Sequence, residues 1–156
     1  MSTNEKLVNI LNHLIEINND RIAGYEKAVE ETKAHDVDLQ AIFRSMINDS
    51  KSYTQELTKQ VISLGGEFST ETTNKGKVYR VWMDVKATFA GNDRQAILDS
   101  CEYGEDEAQK AYTAALSSDA EISPQVRTII AEQQASLKTA HDLIKKFRND
   151  SRTVTA

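Results

Sequence analysis

Apolar residues return every three or four positions along most of this chain, the spacing that gathers them on one face of an α-helix. Leu7, Ile10, Leu11, Leu14, Tyr25 and Val29 form the first stripe, and Ser2 with Glu5 has capping-box spacing ahead of it. A helix is expected over about 3–34. Leu39, Ile42, Phe43, Met46, Tyr53, Leu57, Val61 and Leu64 make a second stripe, ended by Gly65-Gly66, and predict a helix over about 38–65. A polar stretch from Glu67 to Lys77 reads as a loop. Val78, Trp82, Val85 and Phe89 then share one face of a short helix over about 78–90. Asn92 with Gln95 opens a helix over about 93–117 on Ile97, Cys101, Ala108, Tyr112 and Ala115. Ser123-Pro124, a cap residue followed by proline at the first helical position, opens the last, over about 124–148. Residues 151–156 are expected to fray at the end of one domain spanning 1–150.

The links within the first and last helix pairs are short, so each pair is expected to be an antiparallel hairpin. The connection between the second and third long helices is long and holds a helix of its own. This predicts an all-α, ferritin-like four-helix bundle with one long crossover. The Trp82 face would cover the outside of the bundle or pair with a second subunit, making a homo-oligomer.

Composition narrows the setting. The 156 residues hold one proline and six glycines, which suits long helices. A net charge of -5 with mixed signs leaves no basic track for nucleic acid. One cysteine allows no internal disulfide, no run is long and apolar enough to span a membrane, and the N-terminus lacks a signal-peptide pattern, so a cytoplasmic protein is expected.

The candidate chemistry lies where polar residues interrupt the stripes. On the third long helix Glu105 sits in one narrow sector with Cys101, Ala108 and Tyr112, with Glu102 on the flank and Asp106 turned away. Counting from the links places Arg21, Tyr53 and Glu105 in a middle layer, and Tyr25, Asp49, Cys101 and His141 in the next. A buried carboxylate has to be paired, hydrogen-bonded or protonated. One reading is a polar core in which Arg21 pairs with Glu105 while Tyr25, Tyr53 and Gln134 supply hydrogen bonds, with His141 in the same core. The other is a metal site on Glu105, His141, Asp49 and Glu102. A di-metal bundle site requires Glu-x-x-His on two helices, and no Glu-x-x-His occurs here. No cofactor is therefore expected, with iron or manganese as the alternative.

The segments NNDRIAGYEKAVEE, ELTKQVISLGG, YRVWMDVKA, CEYGEDEAQKAYTAAL and TAHDLIKKF together resemble a bacterial domain-of-unknown-function family with a ferritin-like four-helix bundle. The resemblance implies the fold, with the extra helix in the crossover, and implies little about activity. The function expected is that of a non-enzymatic structural, binding or stress-associated factor. The alternatives are a metal-binding oxidoreductase or storage protein with a non-standard carboxylate/His site, and a small-molecule site lined by the tyrosines.

Overall fold

The computed structural model describes residues 3–32, 36–73 and 94–155. The expected Trp82 helix, and with it the proposed oligomer face, lies outside them. Four helices are described: α1 (Thr3–Glu31), α2 (Val37–Ser63), α3 (Arg94–Leu116) and α4 (Pro124–Thr155). Their starts and stops follow local chemistry. Leu64 is the last residue before Gly65, whose φ of 79° lies in the left-handed region where a side chain is strained. There Gly66 N donates to Val61 O and Gly65 N to Ile62 O, the paired bonds of a Schellman stop. Gly66 also lets the chain pass close to α1, since a Cβ there would meet the Val8 methyls at 2.8 Å. Ser123 Oγ accepts from Val126 N at 3.3 Å and caps α4 ahead of Pro124. The last helix continues to Thr155, past its expected end near residue 148.

α1 packs on α2 and on α3, α3 packs on α4, and α2 and α4 are the most loosely packed of the neighbouring helices. Arg21 meets Ser50 across α1–α2 and Glu105 across α1–α3. Tyr112 meets Gln133 across α3–α4. In each pair residue numbers rise in opposite directions, so α2 and α3 both run antiparallel to α1 and parallel to each other. The connection between them therefore has to return the full length of the bundle. Its described part, residues 64–73, climbs the outer face of α1. Asn12 Nδ2 donates to Glu67 O and its Oδ1 accepts from Ser69 N. Ser69 Oγ donates to Glu16, Asn19 Nδ2 to Glu71 O, and both Thr73 N and Thr73 Oγ1 to buried Asp20. Glu16 and Asp20, which lie off the apolar stripe of α1, are thus the tethers of the crossover. At the far end Arg94 closes on Asp36 at 2.5 Å, joining the starts of α2 and α3.

The apolar interior is divided in two. One cluster gathers Leu7, Leu11, Leu14, Leu57, Val61, Tyr112, Ile130 and Leu137. The other gathers Tyr25, Leu39, Phe43, Met46, Leu98, Cys101 and Ile144. Asn18, Arg21, Ser50, Glu105 and Gln133, all buried, lie between them. Among the described residues no helix is long and apolar enough to cross a membrane.

Candidate functional site

The polar layer is built around one guanidinium. Arg21 is 1% exposed and Glu105 fully buried. Arg21 Nε donates to Glu105 Oε1 at 2.5 Å, and Tyr25 OH donates to the same oxygen at 2.9 Å. Arg21 Nη1 donates to Ser50 Oγ at 2.7 Å and to the Met46 carbonyl at 3.1 Å, while Nη2 points at Met46 Sδ. The guanidinium carbon lies 5.2 Å from the centre of the Tyr25 ring, within cation–π range. From Ser50 the hydrogen bonds continue in one direction. Ser50 Oγ donates to Asn18 Oδ1, Asn18 Nδ2 to Tyr112 OH, Tyr112 OH to Gln133 Oε1, and Gln133 Nε2 to Glu56 Oε1. Each of the four helices contributes at least one member.

The charge states follow from the surroundings. Burial by itself would disfavour a charged Arg21, but the Glu105 carboxylate more than compensates and the guanidinium is held above its usual range. Burial, reinforced by Glu105, pushes the Tyr25 phenol well above its usual range, so Tyr25 is fixed as a donor. Burial and Glu105 do the same to the Cys101 thiol, which leaves it protonated and a poor nucleophile. The arrangement therefore has one positive and one negative charge at close contact, with neutral groups around them. One atom breaks the pattern: Glu105 Oε2 is buried and has no hydrogen-bond partner among the described residues.

This centre does not fit a di-metal cofactor. Such a site in a helical bundle takes several inward carboxylates and two histidines. Among the described residues the layer between the two clusters holds one carboxylate, Glu105, and no histidine, and that carboxylate already faces a cation, while the other buried carboxylate, Asp20, receives Thr73. An iron or manganese pair would have to share the space with a guanidinium.

The other residues singled out in the sequence fall elsewhere. Tyr53 is half-buried, and its hydroxyl donates to Ser136 Oγ at 2.5 Å on the α2–α4 seam, not to Glu105. Gln134 lies at the α3–α4 edge, where its Nε2 donates to Thr113 Oγ1. Its neighbour Gln133 is the glutamine of the buried network. Asp49 is exposed on α2 and joins neither site. His141 is not in the buried layer. It sits at the rim of α4, with Nε2 2.6 Å from Asp106 Oδ1 and Nδ1 3.3 Å from Asp142 Oδ1.

At that rim Glu102 and Asp106, one helical turn apart on α3, meet His141 from α4. One donor atom from each lies within 4.8 Å of the others. Ligand atoms about 2.1 Å from a tetrahedral ion lie about 3.4 Å from one another, so the three donors would have to draw together to share one ion. Of the residues in the alternative metal reading, Glu102 and His141 come together here, with Asp106 beside them, while Glu105 and Asp49 lie elsewhere. Arg148 pairs with Glu102 at this rim. Burial would lower the His141 pKa, but hydrogen bonds to Asp106 and Asp142 outweigh it and raise it.

Asp106 could have been found from its i, i+4 spacing to Glu102, which puts both on one face. Asn18 is visible as a break in the stripe of α1. For Gln133 over Gln134 the sequence holds no signal, because both border the same stripe.

Comparison with curated proteins gives no match. Among solved structures the chain is similar to a ferritin-like, diiron-carboxylate protein from Bacillus anthracis strain Ames, at 16% identity and a TM-score of 0.62, over 100% of both chains. At that identity the likeness shows the fold: an all-α, ferritin-like four-helix bundle. A family profile described as domain of unknown function (DUF2383) matches residues 6–118, from α1 through the end of α3, and the chain belongs to that family.

Proposed function

We propose that this protein is a non-enzymatic binding member of the ferritin-like bundles that takes one divalent cation at the α3–α4 rim and has no di-metal oxidoreductase centre. The observation that carries the reading is the convergence of Glu102, Asp106 and His141 from two helices within 4.8 Å. The donor set, two carboxylates and an imidazole, suits zinc, manganese or ferrous iron. Asp142 beside Nδ1 gives the ring the outer carboxylate that commonly orients a ligating histidine, leaving Nε2 toward the other donors.

A second reading has its own support. Glu102 pairs with Arg148 and Asp106 with His141, so the cluster is balanced by protein charges alone. On that reading the rim is a structural clasp and the protein acts through its helix surfaces.

Calorimetric titration of chelator-stripped protein with Zn²⁺, Mn²⁺ and anaerobic Fe²⁺ separates the two. The metal-site reading expects one equivalent bound, abolished in His141→Ala, weakened roughly 10–100-fold in Asp106→Asn, and unchanged in Glu105→Gln. No binding by the wild type leaves the clasp. Two equivalents of iron lost in Glu105→Gln would overturn both and restore a central di-metal site.

A further inference from the structure

The misfit between the bundle centre and a metal pair has a positive side. We infer that the Arg21 guanidinium is the resident cation of this bundle, tethered to α1 where metal-carboxylate bundles hold free ions, and that the cradle around it is a receptor for a planar guanidinium. This does not rest on the rim site, which lies on a different helix seam.

The cradle matches that shape and not a spherical ion. Its single carboxylate, Glu105, meets Nε through one oxygen. Ser50 Oγ and the Met46 carbonyl both accept from Nη1. The Tyr25 ring faces the guanidinium carbon, and Met46 Sδ, a soft and weak acceptor, meets Nη2. A divalent metal ion prefers several hard oxygens or imidazoles at about 2 Å. A guanidinium prefers acceptors spread in a plane and an aromatic face. The cradle is also fully enclosed, so the cation it holds was placed there by folding. Glu105 Oε2 is buried and has no hydrogen-bond partner among the described residues, an acceptor that the tethered side chain leaves unused.

The test is chemical rescue. Arg21→Ala removes the cation and leaves the cradle. Thermal unfolding of this variant should rise by about 3–5 °C in methylguanidinium at ten times its dissociation constant, in the low millimolar range. Neutral N-methylurea, of the same shape, should give no rise, and neither should Zn²⁺, Mn²⁺ or Fe²⁺ once His141→Ala has been added to remove the rim site. The rise should vanish in Arg21→Ala/Glu105→Gln, and the wild type should show none. Should Arg21→Ala lack helical signal, the same additions are followed as recovery of helicity, with Arg21→Met/Glu105→Met as the folded control. Recovery with methylguanidinium supports the receptor. The inference is overturned by equal responses in variant and wild type, by a response to methylurea, by tighter binding of a metal ion, or by no recovery while the control folds.

Discussion

Glu105 shows how a single residue can be legible in sequence while its neighbours are not. It lies one turn from Cys101 and Ala108 on a stripe that must face inward, so its burial follows from helical period alone. Its partner was also legible, because Arg21 interrupts the α1 stripe near the same height. Gln133 and Gln134 differ by 100° of helix rotation, less than the width of an apolar stripe, and the sequence does not fix which one turns inward. His141, central on its stripe by period, stands instead at the rim, where its Nε2 meets Asp106. The energetic weight of Glu105 is testable. Glu105→Ala leaves Arg21 buried and unpaired, which should cost about 3–5 kcal/mol. Glu105→Gln keeps an acceptor for Arg21 and Tyr25 and should cost less. Urea unfolding of both variants checks the order, and an alanine variant within about 1 kcal/mol of wild type would show that water reaches Arg21.

At the scale of elements, the long crossover and the α3–α4 seam are held by polar contacts. The period of α1 says that Glu16 and Asp20 leave the core, but only the topology says that a returning strap meets them. Because α2 and α3 are parallel, some segment has to climb a helix face, and the buried Asp20 receives it through both the N–H and the hydroxyl of Thr73. Asp20→Ala strands those donors. It should cost roughly 1–3 kcal/mol and speed glutamyl-endopeptidase cleavage after Glu67 and Glu71, read by mass spectrometry of timed digests. Unchanged cleavage would mean that Asn12 and Asn19 suffice to hold the strap. On the other seam, the raised pKa of His141 sets a sign. A proton favoured in the folded state adds stability that is fully present below the ordinary histidine value of about 6.5 and is lost as pH rises through the raised folded value. In chelator, stability should therefore fall across that window by up to about 1 kcal/mol, as suits a half-exposed pair. The fall should be absent from His141→Ala in parallel urea titrations.

For the whole molecule, the bundle has two apolar cores separated by a polar layer that touches every helix. The ferritin-like architecture was legible because it depends on helix count, link length and one long connection, all of which survive errors of a few residues. The layer's role is less obvious, because burying an ion pair adds little net stability once desolvation is counted. Its hydrogen bonds do carry directional information. The chain from Ser50 through Asn18, Tyr112 and Gln133 to Glu56 requires α1, α2, α3 and α4 to stand at one relative height. The flanking clusters of Leu, Ile and Ala would tolerate a shift of one turn far better. α2 and α4 need such a device most, because they are the most loosely packed of the neighbouring helices and are bridged by Gln133–Glu56 and Tyr53–Ser136. Replacing the pair together, in Arg21→Met/Glu105→Met, removes both charges and fuses the two cores. That variant should fold and melt at or above the wild-type temperature. If the layer sets helix register, it should also lose dispersion in its methyl NMR spectrum and exchange its core amides faster relative to its global stability. A variant that gains stability with unchanged dispersion and exchange would show that apolar packing alone sets the register, leaving the buried pair without that role.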